Sequence, residues 1–151
     1  MAISQAMATS FKVEILDGIH NFGTGVIRAS TAADVFKLAL YTSSATLSAT
    51  TTAYTTSDEV SSSGTNYPGG GLTLTISQVP ISSGTTSFID FDDLTFPSAT
   101  LTANGALIYN ETQGNKAVAV LAFGGDKTST AGNFTIQFPA ATASTAILRI
   151  A

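Results

Sequence analysis

Val35-Phe36-Lys37-Leu38-Ala39-Leu40-Tyr41 sets Phe36, Leu38 and Leu40 against Lys37 and Ala39. A period of two marks a half-buried strand, because successive side chains of an extended chain point to opposite faces. Working outward, the alternation returns in Leu72-Thr73-Leu74-Thr75-Ile76-Ser77. Phe88 to Phe91 reads as another strand, interrupted by Asp92-Asp93 before Leu94-Thr95-Phe96. Ala106 to Tyr109 follows Asn104-Gly105, which makes either a two-residue hairpin turn or a kink inside one longer strand. Ala117 to Phe123 is apolar at every position, so both of its faces should be covered. Phe134, Ile136 and Phe138 alternate with Thr135 and Gln137, and Ala146 to Ile150 follows. Seven or eight short strands with Gly, Pro, Ser and Asn between them predict an all-β, single-domain antiparallel β-sandwich or jelly roll.

Ahead of these strands the period is helical. Phe11, Ile15, Leu16 and Ile19 recur at helical spacing, with Ser10 placed as an N-cap. One short N-terminal helix is expected from Ser10 to about Asp17, ended by Gly18 and Asn21-Phe22-Gly23. The switch to a period of two falls near Val26. Residues 1–9 form an N-terminal arm and residues 10–151 the sandwich domain. The domain includes a Ser/Thr/Gly-rich excursion, 43–71, with Tyr54, Val60 and Tyr67 as isolated anchors. Ile3 and Met7 interrupt the polarity of the arm, and Phe11, Ile15, Ile19 and Phe22 continue an apolar stripe. These six are the candidate partner-contact residues, on a stripe wide enough to meet this domain's own sheet or an adjacent subunit.

Composition excludes several function classes. Of 151 residues only 11% are charged, with six Lys plus Arg against ten Asp plus Glu and a net charge of −4. Six scattered cations make no phosphate-binding footprint, so no direct nucleic-acid contact is expected. The absence of Cys and the single His remove thiolate zinc sites, Cys nucleophiles and His-cluster metal sites. No apolar run reaches the ~18–20 residues of a spanning helix, and the first residues lack the basic and apolar regions of a cleaved signal peptide. No membrane association, no cofactor and no enzymatic activity are expected.

The residues that could carry chemistry have plainer readings. Asp90, Asp92 and Asp93 could form a calcium site or a carboxylate pair, yet Phe88, Ile89, Phe91 and Leu94 surround them. A strand end or bulge whose acids face water or cap backbone amides fits better. In Gly124-Gly125-Asp126-Lys127-Thr128 an acid stands between Gly and Lys and a strand follows, so a glycine-rich hairpin is expected, not a phosphate loop. His20 has no Gly-x-Ser-x-Gly partner motif, and a helix-end histidine is usually structural. Tyr41, Tyr54, Tyr67 and Tyr109 could stack on sugars, but the stronger Trp platform is missing and burial is expected.

Several stretches carry a resemblance. They are Lys37-Leu-Ala-Leu-Tyr-Thr42, Thr51-Thr-Ala-Tyr-Thr-Thr-Ser-Asp-Glu-Val60 and Tyr67-Pro-Gly-Gly-Gly71. Further along come Leu94-Thr-Phe-Pro97 with Ala103-Asn-Gly-Ala-Leu-Ile-Tyr-Asn110, then Ala122-Phe-Gly-Gly-Asp-Lys-Thr-Ser129 running into Gly132-Asn-Phe-Thr-Ile-Gln-Phe-Pro139. In this order they resemble the capsid decoration, or cement, proteins of tailed bacteriophages. The resemblance implies a jelly-roll-like virion structural protein on the outer capsid surface, made in the host cytoplasm, that clamps neighbouring major capsid subunits. It implies as partners the major capsid protein and copies of itself, as dimer or trimer, and no catalytic residues. A phage tail or fibre adhesion module is the alternative, and a carbohydrate-binding or hydrolytic domain a third.

Overall fold

In the computed structural model, which describes residues 2–16, 18–23 and 32–151, the alternating segments become strands of two antiparallel sheets. The elements are β1 (Ala6–Met7), α1 (Thr9–Leu16), β2 (Phe36–Tyr41), β3 (Leu72–Thr73), β4 (Ile76–Ser83), β5 (Thr86–Phe91), β6 (Leu94–Asn110), β7 (Lys116–Ile136) and β8 (Leu148–Ile150). Among the described residues the larger sheet has the order β1-β7-β6-β2-β3 and the smaller β4-β5-β8. This is an all-β sandwich with one short helix, as the alternation requires.

The helix begins one residue earlier than Ser10. The Thr9 amide donates to the Ala49 carbonyl at 2.9 Å, so backbone from the excursion takes one of the orphan donors that a cap side chain would otherwise take. Ser10 lies inside the first turn, and its hydroxyl is buried with no partner. The expected helix end at Asp17 and the change of period near Val26 lie outside the described residues.

Three stretches differ from their sequence reading. Leu72 to Ser77 alternates without a break, yet it serves two sheets. Leu72 and Thr73 pair with β2, whereas Ile76 pairs with Phe91 of β5. Leu74-Thr75 carries the chain across, with the Leu74 amide bonded to the Phe36 carbonyl and the Thr75 carbonyl accepting from the Asp92 amide. Second, β2 is not half-buried but covered on both faces from Leu38 onward, because the excursion packs on its outer side.

Third, separate short strands merge into a long hairpin, β6 of 17 residues and β7 of 21. Asn104-Gly105 is the kink, not the turn, and the register shifts there. A Cβ on Gly105 would lie 2.6 Å from the Leu121 carbonyl oxygen and 2.9 Å from Ile3, which excludes any larger residue. Gly124-Gly125 is likewise not a hairpin. Between the pairs Gly105↔Ala122 and Ala103↔Lys127, β6 supplies one residue and β7 four. The surplus bulges out of the ladder, with Gly124 and Gly125 at φ 72° and 143°.

The core joins both sheets. Phe22 stacks on Phe36 with ring centroids 4.2 Å apart, and Phe91 of the smaller sheet lies 6.1 Å from Phe36 and 5.9 Å from Phe138. Of the apolar run Ala117 to Phe123, Ala117 to Leu121 is buried on both faces as expected, whereas Ala122 and Phe123 are only half-buried where the strand runs into the Gly124-Gly125 bulge.

Candidate docking interface

The N-terminal segment pairs with its own chain. Ala6 and Met7 lie opposite Val120 and Ala119 at the edge of β7, and the Ala8 amide donates to the Val118 carbonyl at 3.1 Å. Ser4 donates to the Leu47 carbonyl at 2.8 Å, so the segment lies between β7 and the excursion. α1 then turns Phe11 inward, 2% exposed, with its ring edge-on to His20 at 4.7 Å and to Phe22 at 6.0 Å.

This packing leaves a crevice of about 180 Å³ between the helix and the smaller sheet. Met7, Phe11, Ile15 and Phe22 form one wall. Phe88, Ile89, Leu148 and Ile150 form the other, with Pro80 between them. Two polar side chains with ring or guanidinium nitrogens, His20 and Arg149, reach its lining. The Arg149 guanidinium is turned back onto the carbonyls of Ala143 and Ser144.

Four of the six candidate contact residues thus meet at one crevice. Ile3 sits elsewhere, over Gly105 and bridged to Leu47, and Ile19 is half-buried. The sequence reading missed a group of open apolar side chains on the smaller sheet, of which Ile150 lines the crevice. Val79, Ile81 and Ile150 are 47%, 43% and 51% exposed, three of the four large apolar side chains so open among the described residues. Val79-Pro80-Ile81 has no periodicity to reveal it, since proline and a register shift break the strand there.

His20 lies beside a buried polar network around Asp34 and Asn110. Asn110 Nδ2 donates to Asp34 Oδ2 at 2.8 Å and lies 3.0 Å from His20 Nδ1, while Gln113 reaches Asp34 Oδ1 at 3.2 Å. The Asn21 amide adds a bond to Asp34 Oδ2 at 3.0 Å. This buried network fastens the two ends of the segment around residues 20–34 to the β6–β7 turn.

All four tyrosines belong to a second network centred on Glu59. Tyr54 donates to Glu59 Oε2 at 2.7 Å, and Tyr67 and the Gly70 amide donate to Oε1 at 2.6 and 2.7 Å. The Leu40 amide donates to the Tyr67 hydroxyl oxygen at 2.9 Å, and the Tyr109 hydroxyl donates to the Gly70 carbonyl at 2.8 Å. Tyr41 donates to the Thr55 carbonyl at 2.6 Å, and the Tyr54 and Tyr109 rings stack at 4.7 Å. Burial, with Glu59 and Glu111 nearby, pushes Tyr109 up to about 12. Burial and then the Glu59 carboxylate raise Tyr54 as well. Tyr41 and Tyr67 are also raised, chiefly by burial, against the lowering effect of their backbone partners. The rings are therefore spent on holding the excursion.

In the acidic cluster Asp93 Oδ1 accepts the Phe138 amide at 2.8 Å, the strand-end role expected of it. Burial raises the pKa of Asp90, against its bond to the Phe91 backbone, and Asp93 and Asp92 add to the rise. Its Oδ1 is buried without a partner. Among the described residues no group of three His, Cys, Asp or Glu side chains could hold a metal ion, and no helix is long and apolar enough to cross a membrane. In comparisons with known proteins, no family model, curated protein or solved structure matches this chain.

Proposed function

We propose that this chain is a virion structural protein that decorates a tailed-phage capsid and stabilises it by clamping neighbouring major capsid subunits. One observation carries the reading. The stretches that resemble decoration proteins contain every member of the tyrosine–Glu59 network: Tyr41, Tyr54, Glu59, Tyr67, Gly70 and Tyr109. The same stretches supply most of the β6–β7 hairpin. The resemblance therefore falls on residues that form a connected hydrogen-bonded network and a long two-stranded hairpin, a scaffold suited to holding two attachment points.

The outer face of the hairpin supports the same reading. Thr95 pairs with Thr135 and Thr102 with Thr128, each hydroxyl pair 2.9 Å apart, and all four side chains are exposed. Hydroxyl-rich, uncharged surface suits an interface with bridging water. A protein that binds the assembled lattice and not its free subunits stabilises the lattice by mass action, and multiple attachment amplifies a modest contact.

The test is co-sedimentation of the purified chain with undecorated capsids and, separately, with unassembled capsid protein. Saturable binding to capsids alone, at a fixed ratio to the capsid subunit, is the expected result. Absence from capsids together with binding to tails would move the chain to the tail or fibre reading.

A further inference from the structure

The buried network at the turn of the β6–β7 hairpin carries an inference that goes beyond capsid clamping and stands or falls independently of it. Asn110 ends β6 and Lys116 begins β7, and the two lie directly opposite each other in the ladder. On its other side Asn110 is paired with Phe36 of β2. Directly opposed residues share a face of the sheet, with Cβ atoms about 4.5–5.5 Å apart. Lys116 and Asn110 therefore point to the side on which Phe36 stacks on Phe22. The four-carbon stem of a lysine is long enough to bring Nζ onto the Asn110 side-chain carbon across that gap.

We propose that Lys116 and Asn110 join in an intramolecular isopeptide bond, formed once per chain with release of ammonia. Three observations select this chemistry. The first is burial. Asn110 is 0% exposed and Lys116 half-buried, so water, the competing nucleophile, is kept from the side-chain carbon. The second is the amide oxygen. The Gln113 backbone amide donates to Asn110 Oδ1 at 3.1 Å, a donor already in place where attack on the carbon develops negative charge. The third is the leaving nitrogen. Asn110 Nδ2 donates to Asp34 Oδ2 at 2.8 Å and lies 3.0 Å from His20 Nδ1, and the buried Asp34 is itself placed by the Asn21 amide and the Gln113 side chain. Lys37 of β2 does not compete, because it lies opposite Tyr109 and pairs with Glu111 at 2.7 Å. In the reaction the Lys116 ammonium gives a proton to the Asp34 carboxylate, and the amine so formed attacks the Asn110 side-chain carbon. The new C–Nζ bond stays and the C–Nδ2 bond breaks. The departing nitrogen takes two protons through Asp34, one from the original ammonium and one from Nζ after attack, and leaves as ammonium. Nothing is oxidised or reduced.

The test is the intact mass of the purified full chain, followed by tryptic mapping. Wild type is expected to weigh one ammonia less than its sequence, and trypsin to pass over Lys116 in a peptide that carries the same deficit. Lys116→Arg keeps the charge and cannot form the bond, so it should restore both the sequence mass and cleavage at position 116. Asp34→Asn leaves nucleophile and amide in place but removes the proton carrier, and should slow the cross-link by about a hundredfold or more. Circular dichroism separates that effect from misfolding, and the Lys116→Arg result stands without it. Wild type at its full sequence mass, cut after Lys116, would overturn the proposal. So would a missing ammonia that persists in Lys116→Arg, which would trace the loss to a different amide. Neither result bears on capsid binding.

Discussion

The excursion 43–71 and the β4–β5 hairpin invert the usual relation between composition and burial. The excursion is mostly Ser, Thr and Gly, yet Ala45, Leu47, Val60 and Tyr67 are buried and Glu59 binds three donors. The hairpin holds Val79, Pro80 and Ile81 in sequence, yet leaves all three exposed. A polar segment is fixed when a few of its groups satisfy one another at the surface of a finished sheet. An apolar segment stays open when nothing in its own chain covers it. The difference separates a region built for rigidity from one available for contact.

Four measurements would sharpen or break that contrast. The largest effect is expected from Glu59→Ala. It leaves two phenol hydroxyls and the Gly70 amide without their acceptor, which should cost about 3–5 kcal/mol in denaturant unfolding. A loss below about 1 kcal/mol would mean that packing, not the carboxylate, holds the excursion.

Next in size is the response to alkali. The folded tyrosines hold their protons above the ordinary value of about 10. Unfolded tyrosines release theirs first, so this contribution to stability is complete below about pH 10 and declines as pH rises toward and through the folded values. Tyrosinate absorbance read together with unfolding should show ionisation and loss of structure arriving together. Tyrosines that ionise near 10 in a protein still folded would contradict the network.

A smaller effect, of opposite sign, is expected at Asp90. Its raised pKa means that the folded state favours the neutral carboxyl, so that contribution is present at low pH and lost as pH rises through the folded value. Asp90→Asn should therefore gain up to about 1 kcal/mol at neutral pH and nothing in acid, compared by thermal melts at both. The smallest effect is expected on the open side. Ile81→Ser should change the stability of the isolated chain by no more than about 0.5 kcal/mol, because so much of the side chain already meets water.

Residue pattern revealed what local chemistry dictates. The alternation at Phe36–Tyr41 and from Phe134, the apolar run from Ala117 and the helical spacing from Phe11 to Ile15 all fall in the strands and helix they specify, although β7 ends before Phe138 and the double burial of the apolar run stops at Leu121. Alternation reports an extended chain, and neither which sheet it joins nor, as β2 shows, whether its polar face is covered as well. The crossing at Leu74-Thr75 was therefore invisible within an unbroken pattern. Asn104-Gly105 and Gly124-Gly125 both carry turn chemistry, and only the long-range pairing of β6 with β7 makes one a kink and the other a bulge. Glu59 gave no signal, because its three donors come from positions 5 to 11 residues away along a loop without periodicity. The crevice was legible by half: its helix wall followed the apolar stripe, while its opposite wall on the smaller sheet gave no signal of where it would pack.

The proposed clamp is tested most directly by a reconstruction of capsids to which the purified chain has been added. Density for the sandwich is expected at equivalent lattice positions, each copy touching two adjacent capsid subunits. Density on one subunit only, or on the tail and nowhere on the shell, would contradict it.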